Sequence, residues 1–363
     1  MERRGQIMDN DKMKIDNENS KPQKTKKKMK KRSKLIILFI VEIFILIFAI
    51  GIIYGMSKVG KIQHDTSEDK HIIKNEEVKI SGYRNIVLFG VDSRANSLKK
   101  STHSDTIIIA SINKKTKDVK LASVYRDTYV KIPDKNKFDK INAAYYRGGY
   151  SLALSTINTN FDLDAKEFVT VNFDAVVRGI DLVGGVEIDV QENELKHMNT
   201  YIRELNKINH TNVTEVKSAG KQLLNGTQAT AWSRIRYTAG GDFKRTERQR
   251  VVVEKVFAKV KKSNIGTINK FIDTMFPKIY TNLSNIDMLM LAKDVFSYNI
   301  VGQTGFPYEK DAHRYNKVSY VFPIDLSANV SKLHEYLFDK QGYVPSDTVK
   351  NYSNEIEVIR KSK

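Results

Sequence analysis

The chain has 363 residues, 40% of them hydrophobic and 28% charged, enough to build one large or two ordinary folded domains. It contains no cysteine, which excludes disulfides, thiolate metal sites, cysteine nucleophiles and an acylated lipoprotein cysteine, and its seven histidines fall in no metal-ligand spacing. The net charge of +19 would suit nucleic acid if it were spread over a folded surface, but residues 1–34 alone hold 13 Lys and Arg against 5 acids, so much of it belongs to a tail.

That tail, rich in Lys, Asn and Asp, reads as disordered. Leu35 to Tyr54 follows as a run of 20 residues, 16 of them Leu, Ile, Phe or Val, the length a helix needs to cross a bilayer. Insertion is favourable by about 5–10 kcal/mol from those side chains against a cost of about 3 for Glu42. Nine Lys and Arg lie in the fourteen residues before the run, and only Lys58 and Lys61 in the fourteen after it. The positive-inside rule therefore places the N-terminus in the cytoplasm and the bulk of the chain outside. A signal peptide fits less well, because the run is long and no small-residue cleavage site follows it.

Residues 56–80 read as a polar linker. Beyond them Asn85–Val91, Asp105–Ser111, Val119–Val124 and Phe168–Phe173 are short β-branched runs expected as strands. Gly149–Asn158, Phe173–Val183 (ended by Gly184-Gly185), Met198–Ile208 and Leu326–Phe338 carry helical patterning. Strands interleaved with helices imply an α/β layered domain. The expected organisation is a basic tail over 1–34, a membrane-spanning helix over 35–55, a linker over 56–80, a folded domain over 81–340 and a C-terminal tail over 341–363.

Three polar clusters stand at the ends of the expected strands, where scaffolds present functional groups. Asp92 and Arg94 leave the first strand and Asp105 opens the second. Two carboxylates flanking a strand edge, with no thiol nearby, suit a hard cation such as magnesium, although Asp beside Ser and Thr at a strand end is more often a turn or cap. The second cluster, Tyr125-Arg126-Asp127-Thr128, reads by itself as an ion pair. In the third, Ala231–Tyr237 read as a strand puts Arg234 and Arg236 on one face. Gly240-Gly241-Asp242 then leads into a helix over Phe243–Val260 whose apolar stripe continues N-terminally through Arg245, Arg248 and Gln249, with Glu247 and Glu254 facing away. Inward guanidinium groups at a helix N-terminus make a site for an anion with several oxygens, such as a phosphate or pyrophosphate. The alternative is an Arg/acid network that merely fixes the helix, with Asp127, Asp242 or Glu247 as partners.

At these residues the chain resembles the LytR-CpsA-Psr family, through GVDSR (Gly90 to Arg94), SDT (Ser104 to Thr106), YRDT (Tyr125 to Thr128), DKINAAY (Asp139 to Tyr145), VTVNFD (Val169 to Asp174), LVGGVEIDV (Leu182 to Val190), LNGTQATAWSRIRY (Leu224 to Tyr237) and GDFKRTERQR (Gly241 to Arg250). The resemblance is dense over residues 81–262 and fades toward 340. It implies an α/β/α domain with a mixed central sheet behind a single N-terminal transmembrane helix. It also implies a phosphotransferase that moves an anionic glycopolymer, such as teichoic acid or capsule, from undecaprenyl pyrophosphate to a peptidoglycan hydroxyl. By motif, Asp92 and Asp105 would hold Mg2+, or Mn2+ in its place, and with Arg126 form the catalytic set. Arg94, Arg126, Arg234, Arg236, Arg245, Arg248 and Gln249 would grip the pyrophosphate, and the lipid tail would enter an apolar tunnel. The residue before Arg126 is Tyr125, where the resemblance leads one to expect Pro.

The implied partners are a lipid-linked glycopolymer, peptidoglycan and the membrane, without nucleic acid, at a cell membrane of Gram-positive type with the catalytic domain outside. The rivals are a polyprenyl-pyrophosphate glycan hydrolase, a scaffold that binds lipid-linked polymer without chemistry, and an envelope-associated transcriptional regulator, against which the absence of a helix-turn-helix pattern counts.

Overall fold

The computed structural model describes residues 55–58, 60–65, 71–91, 98–99 and 101–362. The basic tail, the run Leu35–Tyr54 with Glu42, and two of the expected site residues, Asp92 and Arg94, lie outside the described residues. Among the described residues no helix is long and apolar enough to cross a membrane.

The compact unit Met56–Lys363 is built on a seven-stranded sheet. Its strands are β1 (Gln63–His64), β2 (Tyr83–Val91), β3 (Ser104–Asn113), β4 (Asp118–Val124), β7 (Glu167–Asn172), β10 (Ile279–Thr281) and β11 (Asn299–Phe306), in the order β1-β10-β7-β2-β3-β4-β11. β2 pairs antiparallel with β3 and β3 with β4, whereas β2 runs parallel to β7 and β4 to β11. The sheet is therefore mixed, and the α/β expectation holds. Three two-stranded ribbons stand apart from it: β5 (Tyr129–Ile132) with β6 (Lys137–Lys140), β8 (Val186–Val190) with β9 (Gly220–Leu224), and β12 (Lys310–Tyr315) with β13 (Val318–Pro323).

Alternation decides which side chains each face of the sheet buries. Val87, Phe89, Ile107, Ile109 and Val124 pack against α1 (Asn142–Phe161), α8 (Leu326–Phe338) and α9 (Asp347–Lys361). Ile86, Ile108, Ala110 and Leu121 face the other way, toward Val253 of α5 (Gly241–Lys262) and Leu291 of α7 (Asn285–Lys293). A third cluster joins α2 (Phe173–Leu182), the β8–β9 ribbon, α3 (Glu192–Asn209) and α4 (Gly226–Ser233) into a lobe beside α5. The layers are thus α/β/α.

Several expected boundaries move for visible reasons. α1 begins seven residues before the expected Gly149, and Gly149 itself sits at φ 66°, ψ −156°, a break only glycine tolerates cheaply, so helical patterning is clear only in its second half. The expected linker is partly folded: Ile62 and Val78 are buried, and Asn75 donates to Thr159, Asp162 and Ser346. The expected C-terminal tail contains α9, capped by Ser346, with Val349 and Ile356 in the main core.

Candidate active site

The strand expected over Ala231–Tyr237 does not form. Asn225 accepts from the Gln228 backbone while the Gln228 side chain accepts from the Asn225 backbone, a capping box that starts α4 and carries the helix to Ser233. Gly226 is needed at that start, because a Cβ there would lie 2.0 Å from the Val177 carbonyl oxygen. Trp232 consequently turns away from Arg234 and Arg236, and its indole N–H donates to Glu194 at 2.7 Å.

α5 starts at Gly240, whose φ of 89° suits glycine, with no side-chain cap and with Asp242 in its first turn. The expected inward face holds: Arg245 and Arg248 are each 2% exposed and Gln249 8%. The two arginines have different tasks. Arg248 donates to Glu194 through Nε (2.9 Å) and Nη2 (2.6 Å), and also to the Ile235 carbonyl and Thr238. Glu194 also receives Trp232 and the Gln191 backbone N–H, so a buried, fully engaged pair ties α5 to α3 and α4. The Arg248 guanidinium, expected to grip an anion, is thus committed within the protein.

Arg245 is the opposite case. Its Nη2 donates to Asp242 at 2.9 Å, while its buried Nε has no partner. Asp242 is shared, with Arg236 at 3.8 Å and Arg126 at 4.0 Å. Burial, with Arg126 and Arg236 beside it, pushes the Arg245 group down to about 10 despite Asp242. Arg126 reaches from the end of β4 to Asp105 at the start of β3, 2.5 Å away. Burial opposes its charge, but Asp105 and Asp242 outweigh that and hold it above the ordinary arginine value. The Nε atoms of Arg126 and Arg236 are also buried without partners. Arg234 caps α4 and lies between the rings of Phe173 (5.5 Å) and Tyr201 (5.1 Å), with no acidic partner among the described residues. Three guanidinium groups, those of Arg126, Arg236 and Arg245, thus converge on two carboxylates, Asp105 and Asp242. Such a cluster, with unpaired N–H groups directed inward, is suited to an anion carrying several oxygens.

Beside the cluster the sheet and α5 enclose a cavity of about 190 Å3, lined by Leu88, Thr106, Ile108, Val169, Val253 and Gln249 among others. Gln249 bridges the two environments, since its buried Oε1 has no partner and its side chain borders the apolar space. This apolar cavity lies on the face of the sheet, under α5. A second hollow of about 510 Å3, polar and more open, adjoins Asp105 and Arg126 on the other side and is lined also by Asp127 and Lys140.

Tyr125 fills the position where Pro was expected. Its N–H donates to the Phe306 carbonyl, extending the β4–β11 pairing, and its ring meets Phe243 edge-on at 4.5 Å. Proline could not make that bond, so packing and pairing hold the neighbouring Arg126 instead. Sequence reasoning missed Glu194 because its partner is 54 residues away. It named Asp242 only as one of several acids available to the arginines.

Comparison with known proteins points to one family. The LytR_cpsA_psr family model matches residues 49–334. A polyisoprenyl-teichoic acid–peptidoglycan teichoic acid transferase TagU of Enterococcus faecalis is 30% identical over 267 residues, covering 70% of this chain and 83% of that one. Among solved structures, TagT bound to LI-WTA superimposes with a TM-score of 0.59 at 22% identity, over 76% of this chain and 98% of that one. The family protein YwtF with bound octaprenyl pyrophosphate lipid gives 0.53 at 22% identity, over 76% and 99%. These two share the fold. With the family model covering most of the folded unit, the chain belongs to the LytR-CpsA-Psr family.

Proposed function

We propose that this protein transfers an anionic glycopolymer from a polyprenyl pyrophosphate carrier to a peptidoglycan hydroxyl outside the cytoplasmic membrane, to which Leu35–Tyr54 anchors it. The observation that carries the reading is the arginine cluster next to an apolar cavity whose lining includes Phe173, Ser233 and Gln249. One ligand chemistry fits both halves, an amphiphile with a pyrophosphate head and a hydrocarbon tail. Arg126, Arg234, Arg236 and Arg245, joined by Arg94, grip the pyrophosphate oxygens, and Gln249 marks the junction of head and tail. Because phosphoryl transfer is mainly positioning and charge neutralisation, these groups provide most of what the protein must supply.

Asp105, with Asp92, would hold magnesium, with manganese as a substitute. Asp105 offers hard carboxylate oxygen beside the polar hollow, and among the described residues no three His, Asp or Glu side chains converge. Phosphate and water would therefore complete the coordination shell, as magnesium prefers. When bound, such an ion supplies charge neutralisation on the phosphates.

The test is transfer by the full chain in detergent, from a synthetic polyprenyl pyrophosphate glycan to a peptidoglycan oligomer, with and without magnesium. Acceptor-linked glycan, lost in Arg126→Ala and Asp105→Ala, is the expected result. Release of glycan phosphate without acceptor product would assign hydrolysis instead, and lipid binding without turnover would assign a scaffold.

A further inference from the structure

Two hollows lie on opposite faces of β3. Thr106 and Asp105 are consecutive on β3 and so point to opposite faces of the strand. Thr106 lines the apolar cavity, Asp105 the polar one, and the two hollows share no lining residue. In phosphoryl transfer the attacking and leaving oxygens lie roughly in line through phosphorus. If the leaving polyprenyl phosphate extends into the apolar cavity, as the proposed function holds, the attacking hydroxyl arrives from the polar hollow.

That hollow has the chemistry of a sugar subsite. Ser101, Asn142, Lys140 and two carboxylates line it. At its rim the exposed ring of His103 stacks on Tyr146 at 4.7 Å with 10° between planes, and Tyr146 is itself 47% exposed. This gives a flat aromatic platform beside hydrogen-bonding groups, suited to one face of a pyranose. Of the two carboxylates, Asp105 is engaged by Arg126 at 2.5 Å. Asp127 has no part in the anion cradle. Lys140 holds it at 3.0 Å and Arg126 Nε stands 3.9 Å away, so the group is oriented yet borders the cleft.

We propose that the polar hollow is the acceptor-glycan subsite, that the His103–Tyr146 stack is its sugar platform, and that Asp127 is the catalytic carboxylate that receives the acceptor hydroxyl. The hydroxyl oxygen bonds to the glycan-proximal phosphorus. The bond from that phosphorus to the bridging oxygen breaks, and polyprenyl phosphate leaves with the electron pair. The hydroxyl proton passes to the Asp127 carboxylate and then to solvent, as a catalytic-loop aspartate accepts a substrate hydroxyl proton in protein kinases.

The experiment uses the full chain in detergent with magnesium, the synthetic donor and a peptidoglycan oligosaccharide. It measures donor affinity, transfer kinetics, thermal midpoint and direct calorimetric binding of the oligosaccharide without donor. Asp127→Asn should keep donor affinity within about twofold and lower kcat by about a hundredfold, the usual scale for a general base, with Asp127→Glu recovering part of it. Tyr146→Ala should raise the acceptor KM about tenfold at unchanged kcat, the mark of lost uniform binding. Full transfer by Asp127→Asn, or a parallel loss of donor affinity or thermal midpoint, overturns the role of Asp127. Binding of the donor polymer's free glycan in place of the peptidoglycan oligosaccharide overturns the acceptor assignment. If wild type binds the oligosaccharide in a Tyr146-dependent way but transfers nothing, the subsite stands and the transferase reading fails. If wild type binds no oligosaccharide, the subsite fails whatever the donor result.

Discussion

Arg245 and Arg248 stand one helical turn apart, equally buried, and make opposite predictions. Arg248→Met leaves Glu194 buried without its main partner, a loss of about 3–5 kcal/mol for a broken buried ion pair, and urea denaturation should show it. Arg245→Met removes a charge that burial and two neighbouring arginines already disfavour, so denaturation should register little loss or a gain. Donor binding and transfer should instead fall by about a hundredfold, the scale for removing one group that stabilises developing charge. A similar contrast holds for two glycines. Gly226→Ala brings a Cβ to 2.0 Å from a backbone carbonyl, whereas Gly82→Ala meets nothing within 4 Å and bears only the strain of its φ of 82°. The melting temperature should fall further for Gly226→Ala.

At the scale of elements, α8 and α9 close one face of the sheet, and each carries a test. His334 of α8 is buried, with Nε2 3.0 Å from the Phe161 carbonyl oxygen and its ring stacked on Tyr343 at 3.7 Å. Burial holds its pKa below the ordinary 6.5. The unfolded chain therefore binds the proton more readily, and the His334 contribution to stability is complete above pH 6.5 and declines as pH falls toward the folded value. Urea midpoints should drop between pH 7 and pH 5, with a shallower slope in His334→Asn. Removing residues 341–363 takes Val349 and Ile356 from the core, about 1.5–3 kcal/mol each, and breaks the Ser346–Asp162 bonds. The shortened chain should melt markedly lower. That the sequence reads this segment as a tail has a physical cause: α9 has few apolar residues, and besides the neighbouring α8 and β13 the partners that bury them are α1 and β5, far away in the chain. The long apolar strands and the inward stripe of α5 were legible because each pattern spans several periods. The fate of Arg234 and Arg236 was not, because a seven-residue segment fits a strand or the end of a helix equally until its cap is recognised.

Across the whole molecule, burial is uneven. The face covered by α1, α8 and α9 is tightly packed, whereas α7 has no buried residue and α6 (Ile265–Met275) only Met275. These helices border the half of the domain proposed to receive the lipid. Polyprenyl pyrophosphate should slow amide exchange in α6, α7 and the second half of α5 more than in α3 or β8–β9, and saturation at a hundredfold above Kd should add about 2.7 kcal/mol of stability. The short strand β1 has a mechanical meaning as well. Lys58 and Lys61 pair with Asp273, and β1 lies along β10, but among the described residues the next deeply bonded anchor is Asn75. A pull on the N-terminal end would peel these attachments one at a time, starting from the edge strand β1 and before reaching the central strands of the sheet. Some twenty residues would then pay out, roughly 70 Å of extended chain. On the proposed anchoring by Leu35–Tyr54, this tether has two lengths, and the longer one would let the domain work farther from the membrane.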